Sequence, residues 1–327
     1  MVSNRIGLLA AVAAVGLGSF GGCKQKGSGD PEESPRGEPG VAAELAVDTA
    51  FVVSISVTSL RTLEQWNDIY DLVAARELLP LEEIRDHCGF ALFDRLTRVS
   101  ITGDASWEPD RAGIILHGVE RAAADECAVT LAREIHQVEL EIDRGDPITT
   151  YRDRASGLEL YAAWLDDRSV LLTPADVQRR ALLAARLGDG STRPGETVTL
   201  YSVAGPDSLI AAALAPPLDT PIAEMTTDLG AGARAAHVRA HLTDGLALEA
   251  GLHYADTAAA TRGAAELTER LHAYRQDPIL APYATPARIT HRGDHVTLSL
   301  QLDAARTSQA VRLVLAQLPA PAAAAPE

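Results

Sequence analysis

The chain has 327 residues and a formal net charge of −16, and its 27 arginines leave room for only two lysines, Lys24 and Lys26. So acidic a chain argues against nucleic acid or an anionic membrane surface as a broad partner, since either needs clustered basic side chains. A folded part without lysine also excludes phosphate-loop lysines, Schiff-base chemistry and Ser–Lys dyads.

The chain opens with Arg5, an apolar run from Ile6 to Phe20, then Gly21, Gly22 and Cys23. Charged start, apolar segment and small-residue end form the order of a secretory signal. The run is about 15 residues long, short of the roughly 20 that a bilayer-crossing helix needs. The Gly-Gly-Cys end resembles the lipobox of bacterial lipoproteins, with Phe20 where that pattern prefers Leu. The resemblance implies that residues 1–22 are removed and that Cys23 is diacylated, with palmitate among its lipids, as the mature N-terminus. It also implies sorting to the outer membrane of a Gram-negative cell, because Lys24 rather than Asp follows the cysteine. Two acyl chains give durable attachment at about 0.8 kcal/mol per buried CH₂. The competing readings are an uncleaved anchor and ordinary secretion. Residues 23–40 hold Gly, Ser, Pro, Glu and Asp with hardly an apolar side chain, a composition that does not order itself. They read as a flexible linker about 20–25 Å in span.

In Phe51–Leu60 a β-rich run is expected to lead into a helix. Trp66 and Tyr70 follow at helical spacing, more suited to covering a core than to lining a ligand site with Tyr161 and Trp164. With Cys23 lipidated, Cys88 and Cys127 are left in an oxidising compartment, which favours a disulfide. Cys88 precedes an expected strand at 96–101, and Cys127 lies in the first turns of a helix after a strand ending at Val119. Antiparallel pairing of those strands brings both cysteines to one edge.

An internal repeat runs through the same region. Residues 116–136 match residues 252–272 at a constant offset of 136, with eight of 21 positions identical, His117 falling on His253 and Cys127 on Gly263. Further along, Val138, Leu140 and Ile142 alternate with Glu139, Glu141 and Asp143. That acidic face, with Asp146, could hold Ca²⁺, but Arg152 and Arg154 on the next strand offer cross-strand partners. Thr173-Pro174-Ala175-Asp176 reads as a helix start. Residues 198–209 resemble 51–60 and read as a second strand-then-helix entry.

The last hairpin is specified in detail. Val238, Ala240 and Leu242 alternate with His237, Arg239 and His241, and Leu246, Leu248, Ala250 and Leu252 alternate on the returning strand. The apolar faces coincide only with a three-residue loop, Thr243-Asp244-Gly245, which sets Arg239 opposite Glu249. Val296, Leu298, Leu300 and Leu302 alternate with Thr297, Ser299 and Gln301 in one more strand buried on one face.

The expected fold class is α+β: two tandem related modules, each a mainly antiparallel sheet with helices on one face. The modules are placed at 41–188 and 197–318, joined by the Gly- and Pro-bearing linker 189–196 and followed by a Pro/Ala tail, 319–327.

No GxSxG, HExxH, CxxC or strand-following GxGxxG is present, so no catalytic site, metal or cofactor is expected from motifs. Triads built from distant residues leave no local trace. His237, His241 and His253 share one strand face and are the weak candidates for a Zn or Cu site, against a solvent-facing role. The start, the acidic linker and the duplicated layout resemble exported lipoproteins of high-GC Gram-negative, myxobacteria-like bacteria, a likeness that carries no functional residues. The function expected is a lipid-anchored cell-envelope protein, a non-enzymatic binding or scaffold module whose partners are the membrane and an envelope protein. The alternatives are a carrier of an apolar ligand and a hydrolase with a dispersed active site.

Overall fold

The computed structural model describes residues 49–75, 81–103, 113–134, 139–145, 148–154, 159–174, 196–205, 208–215, 232–242 and 244–317. Cys23, the expected signal and linker, Asp146, the connection at 189–195 and the tail lie outside the described residues.

Among the described residues, an antiparallel sheet of twelve strands runs through the molecule. The first half supplies β1 (Phe51–Ser56), β2 (Arg98–Gly103), β3 (Gly113–His117), β4 (Leu140–Arg144), β5 (Ile148–Asp153), β6 (Glu159–Asp166) and β7 (Ser169–Pro174). The second supplies β8 (Ile210–Leu214), β9 (Ala235–Leu242), β10 (Gly245–His253), β11 (Arg288–Arg292) and β12 (His295–Asp303). The order across the sheet is β11-β12-β10-β9-β8-β1-β2-β3-β7-β6-β5-β4, so the two strand sets meet where β1 pairs antiparallel with β8.

The helices are α1 (Val57–Leu60), α2 (Trp66–Ala75), α3 (Leu81–Cys88), α4 (Leu92–Arg95), α5 (Arg121–Glu134), α6 (Glu196–Ala204), α7 (Thr257–Gln276), α8 (Ala281–Ala284) and α9 (Ala304–Gln317). Two of the longer helices start on an aspartate side-chain cap. Asp256 accepts from Ala259 N at 2.7 Å to open α7, and Asp303 accepts from Arg306 N at 2.8 Å to open α9.

Side chains alternate between the two sheet faces. On one face α5 covers Trp164 and Val170, while α7 covers Leu252 and Val296. Leu246 and Leu302 pack there against Leu60, Leu63 and Ile69. On the opposite face Val52, Ile115, Tyr161 and Leu171 pack under Leu200, Tyr201 and Ala204 of α6. Helices therefore lie on both faces, not one.

Two local expectations change. Residues 198–209, expected as a strand leading into a helix, take the opposite order: 198–204 belong to α6 and the strand follows at 210–214. The reason is visible in burial: Thr197, Leu200, Tyr201 and Ala204 are buried at helical spacing, so tertiary contact overrides β-rich composition. Gly205, at φ +80°, ends the helix by donating to Tyr201 O. Thr173 and Pro174, expected to start a helix, instead close β7, where they pair with Tyr161 and Leu160; residues 175–176 lie outside the described part.

The β9–β10 hairpin has the expected register, Leu242 opposite Leu246 and Arg239 opposite Glu249. Gly245, at φ +143°, is held by close approach of the next strand. A Cβ there would stand 2.0 Å from Leu302 O.

Candidate functional site

Three imidazoles converge on the α6 side of the sheet. His237 on β9, His253 on β10 and His295 on β12 have ring centroids 5.4, 5.9 and 4.5 Å apart (His237–His253, His237–His295, His253–His295). His253 and His295 are direct cross-strand partners. His237 lies one row along, opposite Gly251, and this glycine is what lets the cluster form. A Cβ at 251 would stand 2.2 Å from His237 Cε1; without one, the ring lies across β10 and reaches His253. His237 Nδ1 and His253 Nε2 are 3.2 Å apart, a hydrogen bond.

His237 is only 4% exposed, so the expected solvent-facing role is corrected for it. The alternation that sets His237 on the polar face was right, but that face is roofed here by the other two rings. Burial first, then the neighbouring His253 and His295, lowers the His237 pKa to about 4. Burial, and then His295, also lowers that of His253. His241, the third sequence candidate, stands apart from the cluster and accepts or donates at Ser208 Oγ, 3.3 Å away. His295, which takes its place, was missed. It is the next polar-face position in the Thr297, Ser299, Gln301 series, but nothing local reveals that β12 pairs with β10. Among the described residues, no group of three or more His, Cys, Asp or Glu side chains stands ready-made to hold a metal ion.

From the cluster toward the hairpin end, the same face of β9, β10, β11 and β12 is open. A groove of about 690 Å³ lies there, lined by Arg239, His241, Glu249, Arg288, Ser299 and Gln301 among others. Arg239 and Glu249 pair across it at 3.0 Å, so the groove offers matched charge and hydrogen-bonding groups. The Ser208 hydroxyl has two partners within hydrogen-bond reach, His241 Nε2 and, at 3.0 Å, Ala204 O.

The other candidates resolve into structure. Cys88 and Cys127 stand at disulfide distance, with Cα atoms 5.0 Å apart. Arg154 pairs with Glu139 and, at 3.7 Å, with Glu141, while Arg152 pairs with Glu159 on β6. Two side chains of the acidic strand face, Glu139 and Glu141, are thus held in ion pairs. Trp66 and Tyr70 join Phe93 in edge-to-face contacts within the core. Tyr161 and Trp164 point to opposite faces of β6 and are buried in different clusters, so the four aromatics line no common site. Asp125 is buried but satisfied, accepting from Tyr151 Oη and, at 3.0 Å, from Arg144 Nε. His117, the repeat counterpart of His253, meets Ser169 Oγ across the strand pair at 3.1 Å.

No helix among the described residues is long and apolar enough to cross a membrane. No family model matches the chain, and no curated protein matches it. Among solved structures, crystal form I of TP0453 is similar at 10% identity and a TM-score of 0.48, over 85% of this chain and 98% of that one.

Proposed function

We propose that this protein is a lipid-anchored envelope component that works by contact, a binding or scaffold module tethered through Cys23. The observation that carries the contact reading is the open face of β9, β10, β11 and β12. A carrier of apolar ligands calls for an enclosed apolar cavity of several hundred Å³. The groove on this face is open and presents Arg239, His241, Glu249 and Gln301, groups suited to a polar partner surface. The tether rests on the signal-like start and the Gly-Gly-Cys end.

The body is built of two related α+β halves sharing one sheet. In its favour, α5 and α7 start 136 residues apart, each after a hairpin, β2–β3 and β9–β10. The strand orders run outward from the β1–β8 seam as β1-β2-β3 and β8-β9-β10.

Two measurements test this reading. Palmitate labelling is expected in the native chain and absent in Cys23→Ser, which also leaves the membrane fraction; a mutant that stays in the membrane overturns the tether. A photo-crosslinking residue at Gln301 is expected to capture a discrete envelope partner, while one at Arg262, exposed on α7, does not. Equal yields from the two positions overturn the contact face.

A further inference from the structure

We infer that His237, His253 and His295 form a binding site for a single borderline transition-metal ion, Zn²⁺ or one of its neighbours, with three imidazole nitrogens as ligands. The inference goes beyond the contact function and does not depend on it.

The spacing is that of a shared ion. Two nitrogens bound to one tetrahedral zinc at about 2.0–2.1 Å stand about 3.3 Å apart, and their ring centroids about 5 Å apart. His237 Nδ1 and His253 Nε2 are 3.2 Å apart, and the three centroid separations of 4.5, 5.4 and 5.9 Å bracket the second value. An ion between His237 and His253 takes the place of the hydrogen they share. That proton moves to the far nitrogen of its own ring, so both imidazoles stay neutral.

His295 completes the set. Its Nδ1 is buried and has no hydrogen-bond partner, the condition of a buried polar atom that lacks something. As they stand the three donors do not converge on one ion, so the inferred site requires the His295 ring to turn about Cβ–Cγ. That torsion is broad and soft in histidine. Three neighbouring strands hold the Cα atoms, so the register itself sets the three rings side by side.

The surroundings suit a cation. The acidic side chains whose fields reach His253 are those of Glu196, the first residue of α6, and Asp294, next to His295 in sequence. The positive charge of Arg239 is matched by Glu249. Three neutral nitrogens with no fourth protein ligand leave a position for water or an anion, the pattern of an exchangeable ion and not of a closed structural site. An all-imidazole set favours Zn²⁺, Cu²⁺ or Ni²⁺ over Ca²⁺ or Mg²⁺, which take oxygen.

The test is calorimetric titration of the full-length protein with zinc sulfate, repeated with cobalt chloride to read the visible spectrum of the bound ion. One equivalent is expected to bind. His295→Ala and His253→Ala are each expected to weaken binding at least about 10-fold, while His241→Ala, on the same face but outside the cluster, leaves it unchanged. Gly251→Ala touches no ligand, yet its Cβ displaces the His237 ring, and it is expected to weaken binding about 10-fold or more, as supporting residues around metal sites do. Zinc is also expected to raise the melting temperature of the native chain and not that of His295→Ala, which keeps the result readable if a variant is less stable. No binding by the native chain, undiminished binding by His295→Ala, or equal loss in His241→Ala overturns the site.

Discussion

His117 and His253 occupy matching places, the last residue of the strand that leads into α5 or α7, yet their neighbours give them different chemistry. Across from His253 stands another imidazole; across from His117 stands Ser169. Burial, with Arg98 nearby, lowers the His117 pKa to about 4, against an opposing pull from Asp166. The unfolded chain, with an ordinary histidine near 6.5, therefore binds the extra proton first. Stability from this residue is full above pH 6.5 and is lost as the pH falls through 4. Allowing for its partial exposure, the loss is about 1–2 kcal/mol. Urea melts between pH 7 and 4 are expected to show that decline in the native chain and a flatter curve in His117→Gln. Identical slopes would rule out His117 as its source.

At the scale of elements, α5 and α7, which start 136 residues apart, are fastened to their surroundings in two different ways. On α5, Cys127 reaches Cys88 at the end of α3. On α7, Gly263 stands in the equivalent place, and a Cβ there would meet Tyr254 Oη at 2.3 Å. The missing side chain lets the buried Tyr254 ring pack flat under the helix. One half uses a covalent link where the other uses close packing. The disulfide closes a loop with a sequence separation of 39, for which chain-entropy reasoning gives about 4 kcal/mol. The double variant Cys88→Ser, Cys127→Ser is expected to lose up to that much in denaturant melts. Reduction of the native protein should give a similar loss, and an unchanged midpoint in both would show the bond to contribute nothing.

Across the whole molecule, the seam between β1 and β8 decides how the halves relate. Tyr201, Ala204, Ala211 and Ala213 from one side share a buried cluster with Val52, Ile115 and Leu171 from the other. The small side chains of Ala211 and Ala213 let α6 settle onto the seam. Cutting an engineered protease site placed within 189–195 is therefore expected to leave two fragments that travel together in gel filtration. Separation without denaturant would mean that the halves hold together only through their covalent connection.

Much of this architecture could be read before any coordinates. Period-two alternation placed the β9–β10 hairpin in its register to the residue, because burying one face leaves a single alignment. The pairing of β2 with β3 and the meeting of Cys88 with Cys127 followed from the same local logic. His237 and His253 were legible as cofacial for that reason. What alternation could not supply was the neighbour two strands away. Side-chain periodicity says which face a residue takes, never which strand will lie beside it. The pairing of β12 with β10, which brings in His295 and leaves His241 aside, depends on contacts more than forty residues apart in the chain. The β-rich residues of α6 became a helix because small residues, Ala211, Ala213 and Ala235, together with Val52, were there to receive its buried side. Local pattern determined the faces and the turns of this protein; long-range burial alone decided which strands became neighbours, and with that where its imidazoles meet.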